Sequence, residues 1–302
     1  INGNVNDLTE STAQLFLGIR LECAKCHHHP FEKYSQGDYN GFAAFFKGVG
    51  TKRSEEFGLF GGESVVIVKA GTTGKATPLG GEPVEHPLDL RIPLAKWLTG
   101  KQNEFFSRNV VNRYVSYLLG RGLVEPVDDL RSTNPPTNVA LMDALSEHFV
   151  QSNYDLKKLL RAIVSSRLYQ LGSQPTKANV SDTRFYSYYR VKRLAAESLL
   201  DAVDEATGVR TKFKSLPLGT RAIELPDAGD FYSNYFLKTF AKPKRASVCE
   251  CERSPDENLA QALHTLNGDT IAAKVANKTG RVGKLLAAKS THDSIIEELY
   301  LA

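Results

Sequence analysis

Apolar residues recur at helical spacing along most of the chain. Leu8, Leu15, Phe16 and Ile19 predict a first helix, with Asp7 and Glu10 at capping-box spacing and Asp7 in place of the usual Ser or Thr. A short second helix is expected from Asp38 through Phe46, with Tyr39, Phe42, Phe45 and Phe46 as an aromatic face. Between Gly58 and Pro87 the pattern breaks: seven glycines and three prolines surround one strand-like run, Ser64 to Val68. Loop or hairpin is expected there, not helix. Helical periodicity then returns over Phe105–Leu119, Asn138–Gln151, Asp155–Leu171, Thr183–Thr207, Asn258–Asn267, Ile271–Asn277 and His292–Leu301. Gly120-Arg121-Gly122 offers a glycine stop for the first of these. No internal repeat of fixed period is present. The expected fold is mainly α: a helical body (89–302), a Gly/Pro-rich loop or hairpin joint (58–88), and a small N-terminal cysteine/histidine module (1–57).

Composition narrows the class. A chain of 302 residues with 41% hydrophobic and 24% charged positions resembles an ordinary globular protein and needs no metal merely to fold. No apolar run approaches a membrane span; Val65-Val66-Ile67-Val68 is strand-sized. The 38 basic and 34 acidic residues are interspersed, so no block reads as a nucleic-acid arm. Met142 is the sole methionine and the chain opens at Ile1, so a processed piece is expected, with an upstream domain of the same polypeptide missing.

The four cysteines fall in two tight pairs, Cys23/Cys26 and Cys249/Cys251. Such spacing points to metal or cofactor chemistry rather than a disulfide framework. Cys23-Ala24-Lys25-Cys26-His27 is a Cys-x-x-Cys-His string. Two thiols three residues apart on one helical turn can form thioethers to haem, and the next side chain can ligate the iron. Composition gives this string a chance frequency of roughly one in 800. A redox Cys-x-x-Cys pair lacks its βαβ context. Zinc is the rival: Cys23, Cys26, Cys249 and Cys251 could form an all-thiolate tetrahedron, which would explain the second pair, although Cys-x-Cys is a less usual chelate. The adjacency of His27 favours haem. Cys249 and Cys251 are then free thiols near the site or a local pair.

The run Leu21-Glu22-Cys23-Ala24-Lys25-Cys26-His27-His28-His29-Pro30-Phe31, with Gln36-Gly37-Asp38-Tyr39 and Ala43-Ala44-Phe45-Phe46, resembles the planctomycete secreted cytochrome-like family. The rest resembles the domain of unknown function that accompanies it. The strings are Asn112-Arg113, Gly120-Arg121-Gly122-Leu123-Val124, Asp128-Asp129, Asn134-Pro135-Pro136, Ser165-Ser166-Arg167-Leu168-Tyr169-Gln170, Arg193-Leu194-Ala195-Ala196-Glu197 and Cys249-Glu250-Cys251-Glu252-Arg253. His28 departs from an acidic residue usual in that family, and Tyr114 stands where a tryptophan is commoner. The resemblance implies an exported protein, periplasmic or extracellular, with covalent haem c. It implies no reaction.

For the sixth iron position, His29 lies at most about 7 Å from His27 in Cα distance, against the roughly 12–13 Å that trans ligands need. Met142 lies on an apolar helical face. Of His86, His148, His264 and His292, His264 is the preferred distal ligand, and an open or water-bound iron is equally allowed. Asp128-Asp129 could bind a hard cation, although a turn is the commoner reading. Phe185-Tyr186-Ser187-Tyr188-Tyr189, and Phe231-Tyr232 with Tyr235-Phe236, could stack on sugars, although helix packing is the simpler use. Arg113, Arg121, Arg131, Arg193 and Arg253 are candidates for internal ion pairs. No nucleotide-binding or hydrolase motif is present. The expectation is a haem protein in electron transfer or redox chemistry, with a protein redox partner or an exported enzyme as its partner. The alternative is a zinc-stabilised interaction module without catalysis of its own.

Overall fold

The structure is a computed structural model that describes residues 4–53, 64–68, 74–101, 103–226, 232–244, 248–250 and 258–301. The chain forms two compact units, one of residues 1–192 with 247–250, the other of 193–246 with 251–302. Both are mainly helical.

In the first unit, α1 (Val5–Thr12) is capped by Asn4, whose side chain accepts from the Asp7 amide at 2.8 Å. The cap therefore lies three residues before the one read from sequence, and Asp7 occupies the first turn, where its charge suits the helix dipole. The chain then widens into a π-helical turn, Ala13–Leu17, and stops at Gly18 with φ +67°. A 3-10 turn, Glu22–Lys25, carries the first cysteine pair. Helix α2 (Gln36–Ala43) starts at a reciprocal Ser35/Asp38 capping box. Tyr39, Phe42, Phe45 and Phe46 are all buried, and Phe42 packs edge-on against Phe45, Phe46 and Trp97.

Strands β1 (Val49–Arg53) and β2 (Ser64–Val68) pair antiparallel, Val49 opposite Val68. The rest of the glycine-rich window lies partly outside the described residues, at 58–63 and 69–73. Helix α3 (Arg91–Leu98) was not signalled by periodicity; its Pro93 sits in the first turn, where no amide bond is required, and Leu94 enters the core. Helices α4 (Glu104–Leu119), α5 (Val139–Gln151) and α6 (Leu156–Val164) surround a second core of Val111, Val115, Leu119, Met142, Phe149, Leu159 and Ile163. Met142 is thus core, as its helical face implied.

Two predicted helices are shorter than their periodicity suggested. Helix α6 ends at Val164, where the Ser166 hydroxyl donates to the Ile163 carbonyl at 2.6 Å. Residues 183–195 are not helical. The Asp182 carboxylate instead accepts from the amides of Arg184, Phe185 and Ser187. The hydroxyls of two tyrosines in this stretch donate to carbonyls at and just beyond the end of α4, Tyr189 to Leu118 at 3.2 Å and Tyr186 to Arg121 at 3.1 Å. Those carbonyls have no partner within the helix, which explains why apolar spacing lost to polar satisfaction.

The second unit packs α7 (Ala196–Thr207), α8 (Tyr235–Thr239), α9 (Leu259–Asn267), α10 (Asp269–Val275), α11 (Arg281–Ala287) and α12 (His292–Leu301). Its core holds Ala196, Leu200, Phe213, Ala222, Phe236 and Leu237. Buried Lys274 is neutralised by Asp204 at 2.8 Å and donates to the Val209 carbonyl at 2.7 Å. Among the described residues no helix is long and apolar enough to cross a membrane.

Candidate cofactor-attachment site

The 3-10 turn closes with the Cys26 and His27 amides both donating to the Cys23 carbonyl at 3.4 Å. One turn therefore carries Cys23, Cys26 and His27, all exposed, and both cysteines are free thiols. His27 Nδ1 lies 2.7 Å from the His28 carbonyl. A carbonyl only accepts, so Nδ1 carries the proton and Nε2 keeps its lone pair for a metal. His29 is the opposite case. Its Nδ1 accepts from the Phe31 amide at 3.1 Å, so its Nε2 is the nitrogen that donates to the Arg20 carbonyl at 3.1 Å. Both His29 nitrogens are spent on holding the loop, which leaves it a structural role. His86 Nδ1 likewise accepts, from Leu88 and Asp89 amides.

Among the described residues no group of three or more His, Cys, Asp or Glu side chains is placed to hold a metal ion by itself. Haem does not require one. Its thioethers form at the porphyrin edge and only the imidazole reaches the iron, so the three side chains need a shared exposed face, which this turn gives them. The donor set fits haem c. A four-sulfur zinc site asks for four thiolates, and Cys249 is held in a disulfide in this structure. Cys251 lies outside the described residues.

What holds the turn in place was not visible as a motif. Helix α4 presents a polar stripe, Asn109, Asn112, Arg113 and Tyr117, on one face, and the first three are buried. Asn109 donates to the Leu15 carbonyl at 2.7 Å and so takes hold of the π-helical turn. Asn112 clamps the following loop, donating to the Val124 and Val127 carbonyls and accepting from the Val124 amide, each at 2.9 Å. That loop delivers Asp128, 1% exposed, which accepts from Gln14 at 2.8 Å, Arg20 at 2.7 Å and the Glu250 amide at 3.3 Å. Burial pushes the Asp128 pKa up, but the hydrogen bond and charge of Arg20, with Gln14 and the Glu250 amide, outweigh it and hold the carboxyl below its usual range.

Arg113 pairs with the Glu250 carboxylate, which also accepts from the Tyr117 hydroxyl at 2.7 Å. Burial, then the hydrogen bond and charge of Glu250, push Tyr117 up to about 12. Around the rim, Glu32 accepts from the Ser132 amide at 2.7 Å and Arg131 lies over the Phe31 ring.

The remaining candidates separate cleanly. Asp128 and Asp129 serve arginines, Arg131 reaching Asp129 at 3.5 Å, so their charges are used within the fold. Arg121 donates to the Thr183 carbonyl at 2.9 Å, Arg193 bonds Gln261, and Arg253 lies outside the described residues. His264 belongs to the second unit, buried among the rings of Tyr235, Phe236 and Phe240. His148 and His292 are exposed. Tyr186 and Tyr189 pack against α4, whereas Phe185 is 70% exposed; Phe236 and Tyr232 are buried, and Phe231 lies outside the described residues.

The fold and site define a helical protein with an exposed Cys-x-x-Cys-His turn anchored on a buried polar helix face. The chain belongs to the PSD1 family, protein of unknown function (DUF1553), which matches residues 90–302. Residues 2–51 match the PSCyt2 family, also described as a protein of unknown function (DUF1549). No curated protein and no solved structure matches it.

Proposed function

We propose that this chain is an exported c-type haem protein, with haem attached at Cys23 and Cys26 and His27 as the proximal iron ligand. The observation that carries the reading is the His27 ring: its Nδ1–H is satisfied by the His28 carbonyl, which leaves Nε2 available beside two free thiols on one exposed turn. Haem bound there supplies reversible one-electron transfer. The protein's share is to fix the turn and the imidazole, through His29, Arg20 and Asp128. Exposure of the turn suits a protein redox partner. The disulfide at Cys249 supports export, because such bonds persist in oxidising compartments.

The test is a reduced pyridine haemochrome spectrum on protein made with the haem-attachment machinery present. Colour that survives denaturation and acid–acetone extraction, and is lost in Cys23→Ala/Cys26→Ala, is expected. Colourless protein from the same cells, or haem that extracts freely, removes the proposal.

A further inference from the structure

We propose that α6 and the irregular stretch that follows it, residues 156–192, form a docking surface for an anionic lipid membrane, entered through a tip that carries Val180 and Phe185. This goes beyond the haem reading and does not depend on what Cys23 and Cys26 carry.

Charge is not evenly mixed in this part of the chain. Residues 156–192 hold eight Lys or Arg and a single acid, Asp182, a net charge of +7 where the whole chain carries +4. All eight cations are exposed, and among the described residues none of them lies within ion-pair distance of a carboxylate. Arginines elsewhere in the same unit behave differently: Arg20, Arg91, Arg108 and Arg113 each reach one. The neighbouring acids are committed locally. Asp155 caps α6 by accepting from the Lys157 and Lys158 amides, Glu147 accepts from Gln151, and Asp182 accepts from three loop amides. On α6, Lys157, Lys158 and Arg161 lie opposite the buried Leu159 and Ile163. The positive field therefore points to solvent, where it attracts an anionic surface within about a Debye length.

The tip is tied down by its own polar groups. Asn179 Oδ1 accepts from the Thr176 amide at 2.6 Å and hydroxyl at 3.0 Å, and its side-chain amide donates to the Ser187 carbonyl at 3.1 Å. With the Asp182 bonds, these close residues 176–187 into one turn, and Tyr186 fastens it beyond the end of α4. Two apolar side chains are left outside: Val180 is 61% exposed and Phe185 70%. Lys177 and Arg184 are carried on the same turn, and the Arg184 guanidinium lies 5.8 Å from the centre of the Phe185 ring. Exposed Val191 repeats the pattern between Arg190 and Lys192. Apolar groups flanked by cations suit a lipid interface, where the charges meet headgroups and the apolar atoms enter the acyl boundary. An acidic polysaccharide is the poorer fit. It would stack on the Phe185 ring, one face of which Arg184 already occupies, and it has no use for exposed Val180 and Val191.

Co-sedimentation of the full chain with vesicles tests the surface. Binding to phosphatidylcholine vesicles that contain phosphatidylglycerol is expected, with none to pure phosphatidylcholine. Lys177→Gln/Arg184→Gln should weaken partitioning about 25-fold, at about fivefold per cation. Val180→Ser/Phe185→Ser keeps every charge and should still weaken it about tenfold or more. All four side chains are exposed or outside the core, so the variants should melt at the wild-type temperature. Soluble dextran sulfate separates lipid from polyanion: its binding should fall in the Gln variant and stay unchanged in the Ser variant. Absence of binding to the anionic vesicles overturns the proposal. So does vesicle binding that neither variant weakens, which places the contact elsewhere. Loss of dextran sulfate binding in the Ser variant, with vesicle binding intact, also overturns it and assigns the surface to a polysaccharide.

Discussion

Asp128 shows most plainly how a single residue can organise the site. It is buried and collects three donors, and its depressed pKa makes it a source of pH-dependent stability. A group depressed on folding stabilises the native state above its unfolded pKa, about 3.9 for Asp, and that contribution is lost as pH falls through the lower folded value. Asp128→Asn should therefore reduce stability at pH 7, while the stability difference from wild type shrinks steadily below about pH 4. Denaturant titrations at several acid pH values measure it, and a pH-independent difference would contradict the assignment. Arg113 makes the complementary case. Removing its carboxylate with Glu250→Ala should cost about 3 kcal/mol in unfolding free energy, the range for breaking a buried pair from one side. A loss under about 0.5 kcal/mol would show the pair to be solvated, like an exposed one.

At the level of elements, Gly18 is a close point of contact between the N-terminal segment, α4 and the loop that follows it. It ends the π-helical turn in the left-handed region, and its carbonyl accepts from the Leu130 amide at 2.8 Å. A Cβ there would run into the Leu130 side chain and lie 2.9 Å from Asn109 Oδ1. Gly18→Ala should then destabilise by about 2–4 kcal/mol, combining the left-handed penalty with overpacking. Thermal melts compare it with Gly120→Ala, whose Cβ would meet nothing closer than 3.8 Å and which should suffer the backbone penalty alone.

Legibility varied from element to element for physical reasons. Helices α4 and α5 were readable because their boundaries are marked locally, by a glycine stop at Gly120 and an Asn138 cap. The 183–195 stretch misled because its tyrosines have helix-like spacing but are placed by hydroxyl bonds to another helix, a tertiary demand with no local sign. The cysteine turn was legible as a string. Its anchoring was not, because Asp128 and Glu250 meet across 122 positions and nothing near either predicts the other. A signal did exist in α4: polar Asn109, Asn112 and Arg113 at i, i+3 and i+4 mark one helix face as a polar seam.

At the scale of the whole chain, the two family matches divide at residues 51 and 90, yet both contribute to the first compact unit. Gln14, Leu15 and Gly18 from one side are bonded to Asp128, Asn109 and Leu130 from the other. A fragment of 90–302 should therefore lose cooperative unfolding over its 90–192 portion, seen as fast hydrogen exchange in α4. Exchange as slow as in the full chain would show that the N-terminal segment is a separable module.

The central claim, covalent haem on the first cysteine pair, is met most directly by peptide mapping. Trypsin cuts after Arg20, Lys25 and Lys33, which separates Cys23 from Cys26. If both cysteines are thioethers to one haem, mass spectrometry will find Leu21–Lys25 and Cys26–Lys33 joined through a single haem and resistant to thiol alkylation. Two separate peptides, each alkylated at its cysteine in protein made with the attachment machinery present, would contradict it.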